Sequence, residues 1–387
     1  MYRHLYVYLY IDAMSAVPSA TLPPVVDSLN SVLRRVVAPI APPGAVDYWL
    51  SRLNPRWSRL RPRARVVARR RESSDAVTLI LRPPIAWSGF EPGQHVNIGV
   101  ELDGARHTRS YSLTDIPKRD GLISITVKSV EGGSVSHHLC HDLQTGEYLD
   151  IGAAFGDLRF PSTAAPSMLM AAGSGITPMI SLIRAQAASG MPSPLTLLYW
   201  ARHRDRLCFT AELRALAEQF PQFSVRFVLT GDAPEHADES ADRLSPTTLP
   251  SLLSDRTKQH VLACGPFEFV ATARDATADM ALSFAAEAFS PPPISTDADT
   301  EHGTVDITLT RSGRIVTIPR GQLLLDALEA AGIRPASGCR IGICNTCACG
   351  KQSGTTRSLH ASEPEHEPTI ALKLCVNRAI NDLVLEL

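Results

Sequence analysis

The sequence predicts a multidomain protein: an all-β region, then an α/β region built on a parallel sheet, then a small α+β unit. Three observations carry this expectation. Residues 61–162 alternate apolar and polar side chains in the short runs VTLILRP, HVNIGVEL and LISITVKSV, separated by turn signals at Glu91-Pro92-Gly93 and Asp120-Gly121. Residues 163–290 alternate apolar runs with helical patterns, as a parallel sheet with crossover helices requires. Residues 291–300 read as a linker, because prolines stiffen it and the rest is polar, and residues 301–387 follow as a separate unit. The length of 387 residues agrees, since domains run to roughly 150 residues each.

In chain order, residues 1–60 form an extension with scattered proline. Its apolar run LYVYLYI stops at Asp12, far short of the ~20 residues that a membrane span needs. No small-residue cleavage site follows a basic region, so a signal peptide is not expected. Nine arginines and no acidic residue lie between Arg52 and Arg71. One reading is a solvated surface; the sharper one is a basic face for a membrane surface or an acidic partner. In the α/β region the strand candidates are SMLMAA, LTLLYWA, SVRFVLT and HVLACG, and helices are expected after Pro178, Thr210 and Pro266, with Pro178 at the first helical position. The last unit has one long helix pattern, QLLLDALEAAG, with Leu324, Ala327, Leu328 and Ala331 on one face and Gly332 as the stop.

Composition narrows the function. Hydrophobic residues make up 44% and charged residues 20%, enough for real cores. The formal net charge of −1 excludes a general nucleic-acid binder. Five of the eight cysteines fall in the last fifty residues, which fits a metal site in a reducing, cytoplasmic setting better than a disulfide framework.

The text from Gly338 to Cys347 places Cys339, Cys344 and Cys347 in a C-x4-C-x2-C spacing, with Cys375 downstream. That is the spacing of a plant-type [2Fe–2S] cluster. Four thiolates must converge on two irons, so the loop has to be tight; Gly338 and Gly342 let the backbone approach the sulfurs. Structural zinc is the alternative, but it favours paired C-x2-C knuckles and only one is present. Cys349 lies outside the spacing. This unit resembles plant-type ferredoxins, which implies an α+β β-grasp fold.

Two further motif sets lie upstream. Arg109-Ser110-Tyr111-Ser112 follows a β pattern, Pro92-Gly93-Gln94 precedes it, and Gly132-Gly133-Ser134-Val135-Ser136 opens a helical pattern. An arginine suits a pyrophosphate, a tyrosine offers a flat face, a serine hydroxyl suits a ring nitrogen, and glycines at a helix start suit phosphate. The segment Gly173-Ser174-Gly175-Ile176-Thr177-Pro178 follows a strand and opens a helix, and Cys264-Gly265-Pro266 ends another strand. Together these resemble the ferredoxin–NADP reductase family.

The resemblance implies an antiparallel β-barrel FAD domain over 61–162 and an α/β parallel-sheet NAD(P) domain over 163–290, joined to the ferredoxin domain at 301–387. It assigns Arg109, Ser110, Tyr111, Ser112 and residues 132–136 to FAD. It assigns Gly173, Gly175, Thr177, Pro178, Cys264, Gly265 and Pro266 to the nicotinamide nucleotide, with Ser112 and Cys264 at the reacting centre. Phe289, in Glu287-Ala288-Phe289, is expected against the flavin. Arg202 and Arg206 are candidates for a 2′-phosphate, so NADPH is the expected donor, with NADH as the alternative and a plain loop surface as the other reading of those arginines. The implied task is electron transfer from NAD(P)H through FAD and the cluster to a partner.

Such reductases feed oxygenases, hydroxylases and desaturases. The segment Ser51–Ser58 (SRLNPRWS) resembles the lead-in of reductases serving bacterial acyl-CoA desaturases. A membrane-bound fatty-acid desaturase is therefore the expected partner, with peripheral contact at the cytoplasmic membrane face. A Rieske or other oxygenase is the alternative, and a redox sensor is the alternative of another class.

Overall fold

The computed structural model describes residues 62–387 apart from 86, 103, 163–164, 254–256, 291–302, 341, 343–344 and 360–362. The extension 1–60, the segment Ser51–Ser58, the linker 291–300 and Cys344 lie outside the described residues.

Six strands make the first sheet: β1 (Arg63–Arg71), β2 (Ala76–Arg82), β3 (His95–Leu102), β4 (Ala105–Ser112), β5 (Ile123–Lys128) and β6 (Tyr148–Phe155). All neighbours are antiparallel, in the order β4-β3-β6-β1-β2-β5. An antiparallel bridge between Leu113 and Ile125 joins the two edges, and the Thr114 N–H donates to the Ser124 carbonyl at 2.8 Å, so the sheet closes into a barrel. Closure removes the unpaired edges that an open sheet would expose. The interior holds Leu79, Leu81, Val96, Ile98, Ile125 and their neighbours.

The arginine run behaves differently from its bulk composition. Residues 63–71 are a strand, with Ala64 and Val66 buried and the arginines turned outward. Several of those arginines are engaged within the chain. Arg69 donates to the Cys140 carbonyl at 2.6 Å, Arg70 pairs with Glu72 at 2.9 Å, and Arg71 donates to the carbonyls of Ser73 and Ser74. This half of the run is a strand face; its remainder lies outside the described residues.

The second sheet contains β7 (Ser167–Ala172), β8 (Leu195–Ala201), β9 (Phe223–Leu229), β10 (Glu239–Ser240), β11 (Gln259–Gly265) and β12 (Ala281–Ala288). All are parallel, in the order β10-β9-β8-β7-β11-β12. Both faces are covered. Leu169 and Ala171 pack on one side with Leu197 and Tyr199, while Met168 and Met170 pack on the other with Leu198 and Trp200. That double burial is why these strands read as continuous apolar runs. Helix α1 (Ser134–His137) belongs to the barrel; α2 (Ile176–Ala188), α3 (Thr210–Gln219), α4 (Leu249–Leu252) and α5 (Phe267–Thr277) belong to this sheet. Helix α2 starts two residues before Pro178, a correction to the expected first-position proline. The ring is tolerated because first-turn N–H groups have no intrahelical acceptor.

The last unit has β13 (Thr304–Leu309), β14 (Arg314–Pro319), helix α6 (Leu324–Ala330), β15 (Ala348–Ser353), β16 (Thr356–Ser358), β17 (Thr369–Lys373), β18 (Asn377–Ala379) and β19 (Leu383–Leu385). The sheet order β14-β13-β19-β15-β17, with β13 and β19 parallel, is the β-grasp arrangement around α6. Leu324, Ala327 and Leu328 are buried as expected, but Leu325 takes the fourth place instead of Ala331, because the helix has ended by then. Gly332, at φ +79°, provides the left-handed stop.

Candidate functional site

The strand order of the second sheet reverses between β7 and β11. Ligands of open α/β sheets bind at such a switch point, beyond the C-terminal strand ends. Both nicotinamide motifs meet there. Gly173–Gly175 form a tight turn after β7 that runs directly into α2. A Cβ on Gly175 would lie 2.0 Å from the Cys264 carbonyl oxygen, so only glycine lets the two motifs touch. A Cβ on Gly265 would meet Phe269 at 2.7 Å and Ala172 at 3.0 Å. Thr177 turns its hydroxyl to the Ser174 carbonyl at 2.8 Å, locking the turn. Cys264 is buried; burial, and then the charge of Glu287, push its thiol well above the usual range. Pro266 caps α5, and Phe289, half exposed at the end of β12, donates its N–H to the Gly265 carbonyl at 3.1 Å.

The flavin motifs lie on the barrel. Gly93, at φ +91°, would place a Cβ 2.0 Å from the Leu158 carbonyl, and its N–H donates to Ser181 of α2 at 2.8 Å. The Pro92-Gly93-Gln94 turn therefore sits on the seam between barrel and sheet. Arg184 of α2 crosses the same seam, donating to the Thr114 carbonyl at 2.5 Å while it pairs with Glu212. Of the R-S-Y-S residues at the end of β4, Arg109 is exposed, Tyr111 packs partly on the barrel core and Ser112 is buried. Burial raises the Tyr111 phenol above its ordinary value.

Residues 132–136 form a tighter feature than expected. Helix α1 is one turn long and passes into a π-turn at His138–Asp142. The Ser136 hydroxyl is used inside the turn, with the Gly133 carbonyl and the Val130 N–H, and Val135 points into the core. Any anion at this turn would meet backbone N–H groups and exposed Ser134 rather than a long helix dipole.

In the ferredoxin unit Cys339, Cys347 and Cys375 come together. The Cys375 thiol is raised first by a hydrogen bond with Cys347, then by burial, with Cys339 also within electrostatic reach. A cluster at this site would take these sulfurs as thiolates. The Lys373 ammonium donates to the Gly342 carbonyl at 2.6 Å and ties the loop down, while Arg340 and Asn345 adopt positive φ values of 61° and 55° within it. Cys349 is buried on β15, its thiol pushed up to about 11 mainly by burial.

The cluster loop approaches strands β3 and β4 of the barrel. Asn97 of β3 accepts from Ser110 at 2.7 Å and points its amide toward the Thr346 hydroxyl at 3.5 Å; Arg109 approaches the Gly338 carbonyl at 3.5 Å. Sequence reasoning missed Asn97, and its only signal was its place three residues after the Pro92-Gly93-Gln94 turn.

The 2′-phosphate candidates diverge. A cavity of about 540 Å³ beyond β8 is lined by His203, Arg204, Asp205, Arg206 and Asp232. Arg204 is committed to Glu239 and Glu235, both within 2.9 Å, and His203 to Asp232 at 2.8 Å. Arg206 approaches Asp75 at 3.8 Å, and Arg202 is exposed and does not line the cavity. The Arg204 contact, followed by N–H donors from Glu235 and His236, holds the Glu239 carboxyl down to about 2. A depressed carboxyl contributes stability in full above its ordinary value of 4.5, and loses it as pH falls toward about 2. Glu239→Gln should therefore lower Tm by a few degrees at pH 7 and flatten the loss of Tm between pH 5 and pH ~2. An unchanged acid limb in a thermal melt series would contradict this.

At the barrel–sheet seam His95 and Glu287 are largely buried, with Nε2 and Oε2 3.0 Å apart and His95 Nδ1 without a hydrogen-bond partner among the described residues. Families described as oxidoreductase FAD-binding domain, oxidoreductase NAD-binding domain and 2Fe-2S iron–sulfur cluster binding domain match residues 63–160, 169–275 and 307–378. The chain is 32% identical over 363 residues to an NADPH oxidoreductase of Mycobacterium tuberculosis, covering 92% of each. It is 31% identical over 278 residues to the ferredoxin reductase component of 3-ketosteroid-9-alpha-monooxygenase from the same organism, covering 68% of this chain and 75% of that one. Among solved structures it resembles phthalate dioxygenase reductase, described as modular for electron transfer from pyridine nucleotides to [2Fe–2S]. That match has a TM-score of 0.56 and 26% identity, covering 84% of this chain and 97% of the other. The barrel, the switch-point sheet and the cysteine loop thus stand in one order on one polypeptide, and the chain belongs to the ferredoxin reductase-type oxidoreductases, flavin iron–sulfur reductases that use FAD, NAD(P)H and a [2Fe–2S] cluster.

Proposed function

We propose that this chain is the reductase component of a separate oxygenase, delivering electrons one at a time from NADPH. The observation that carries this is the match to the steroid monooxygenase reductase component over three quarters of that protein, joined by the fold of phthalate dioxygenase reductase. When bound, the flavin supplies a two-electron acceptor that can release electrons singly, and the cluster supplies a one-electron exit. The chain's own residues bind, orient and shield. Gly173, Gly175, Thr177, Pro178, Gly265 and Pro266 cradle the nucleotide, and Cys264 packs beside the nicotinamide. Arg109 with residues 132–136 holds the FAD diphosphate, Ser110 and Tyr111 flank the flavin, and Ser112 and Phe289 face its ring. Cys339, Cys344, Cys347 and Cys375 ligate the cluster. Reconstitution tests the partner: NADPH- and O2-dependent product formation should need this chain when it is added to an oxygenase component, and should fail with membranes carrying only a desaturase. The reverse result would overturn the oxygenase reading.

A second reading is favoured by one observation. The match to the NADPH oxidoreductase spans more of this chain than residues 63–387 provide, so it runs into the N-terminal extension. A membrane-bound desaturase as acceptor, with the basic segment at the membrane face, rests on that extension. No helix among the described residues is long and apolar enough to cross a membrane.

Two residue roles carry their own outcomes. Arg109→Ala should yield protein with at least half its flavin lost at micromolar concentration, because a charge-assisted diphosphate contact contributes roughly 1.5–3 kcal/mol; full flavin retention would remove the role. NADPH preference is placed on Arg202 and Arg206. The double change to alanine should cut the kcat/KM ratio of NADPH over NADH roughly tenfold, and an unchanged ratio would leave those arginines as loop surface.

A further inference from the structure

The seam between barrel and sheet buries one ionisable pair. His95 opens β3 and Glu287 lies near the end of β12; Nε2 and Oε2 are 3.0 Å apart, with side chains only 9% and 15% exposed. Groups of this kind are seldom buried without a purpose or a partner. Their registers give the pair its place. His95 lies directly opposite Ser112 across β3–β4 and opposite Phe155 across β3–β6, and directly opposed residues of antiparallel strands share a face. Glu287 is the register partner of Cys264 across β11–β12. The pair therefore spans from one reacting-centre motif to the other.

The surroundings hold the ring in place. His95 stacks on Phe155 with centroids 5.9 Å apart and planes 26° apart. Gly156, at φ +117°, follows Phe155; a Cβ there would lie 3.1 Å from His95 Nδ1 and 3.6 Å from Glu287 Oε1. The contact is close but poorly aligned, so Nδ1 and Oε2 keep unsatisfied hydrogen-bonding capacity. The other titratable group facing the pair is the Cys264 thiol, which Glu287 helps to keep protonated. Ser112, Phe155 and Gly156 bring no charge.

We propose that His95 is a positioning residue for hydride transfer: it holds the Glu287 carboxylate beside Cys264 and pins the end of β12 to the flavin strand, fixing the nicotinamide-to-flavin distance. The proposal rests on the reading that Ser112 faces the flavin and Cys264 the nicotinamide. The step balances without His95 as a reactant. NADPH loses a hydride and becomes NADP⁺, and the flavin gains those two electrons with the hydrogen. Such a transfer is sharply sensitive to misplacement by about 1 Å.

The test uses the full-length holoprotein under anaerobic stopped flow, with His95→Ala, His95→Gln, Glu287→Gln and Cys264→Ser side by side. Flavin bleaching by NADPH reports the hydride step, and the flavin difference spectrum on NADP⁺ titration reports seating without turnover. His95→Ala should slow bleaching roughly ten- to a hundredfold and shrink the NADP⁺-induced spectral change, with flavin content and dithionite reduction of the cluster unchanged. His95→Gln, which keeps a donor toward Glu287, should recover most of the rate. Wild-type bleaching in His95→Ala with slow bleaching in Cys264→Ser would overturn the role of His95 and leave the site reading standing. Wild-type rates in both would remove the site reading itself. Should His95→Ala lose flavin, Glu287→Gln decides: slow bleaching supports the pair, and wild-type bleaching overturns it.

Discussion

Cys347→Ser is expected to leave flavin bleaching by NADPH intact while abolishing cytochrome c reduction and stripping the protein of iron and acid-labile sulfide. The reason is the division of labour between separate cores. Cys347 is buried in the ferredoxin core with Cys375, Leu372 and Leu374, whereas the barrel and the parallel sheet pack their own interiors. Losing one thiolate leaves the cluster with three protein ligands, and the serine oxygen is a harder donor at a different bond length. Asn97 and Arg109 meet the cluster loop only at 3.5 Å, contacts too weak to carry the flavin site down with them. Loss of NADPH-to-flavin reduction in this variant would show that the domains are not independent in this way.

The second large effect is expected at Gly175. Alanine there sets a methyl 2.0 Å from the Cys264 carbonyl oxygen, 2.5 Å from its carbon and 3.1 Å from the Gly265 nitrogen. All three are backbone atoms, so no side chain can swing aside, and the β7 turn and the β11 end must separate. Overpacking of this sort costs roughly 1–3 kcal/mol, and more where only backbone can move. Gly175→Ala should weaken NADPH binding at least roughly tenfold and lower Tm, while FAD and iron contents stay near wild type. Normal nucleotide affinity by titration calorimetry would contradict the switch-point placement. At Gly173 a Cβ would meet no protein atom within 4 Å, and its φ of +57° is what resists alanine there.

Contiguous motifs are the part of the candidate site that the sequence offers. Cysteine spacing, R-S-Y-S, the glycine turn before α2 and Cys264-Gly265-Pro266 each occupy a few neighbouring residues, and the fold sets them at strand ends and loops where their chemistry can be used. The strands β7, β8, β9 and β11 were legible as apolar runs, whereas the edge strands β10, two residues long, and β12, partly exposed, were not among the sequence candidates. β1 was hidden because outward arginines outnumber the inward Ala64 and Val66, so its composition read as a charged surface. The His95–Glu287 pair was hidden for another reason: its partners lie 192 residues apart, on the barrel and on the parallel sheet, and meet only through the folded contact between side chains. Likewise the commitment of Arg204 depends on Glu239, a two-residue strand with no periodic signal of its own.

The most direct test of electron flow through this chain is an anaerobic titration of the holoprotein with NADPH, followed by electron paramagnetic resonance. The expected result is bleaching of the flavin together with the signal of a reduced [2Fe–2S] cluster, with no reductant other than NADPH present. A flavin that bleaches while the cluster stays oxidised until dithionite is added would contradict the path from nucleotide through flavin to iron.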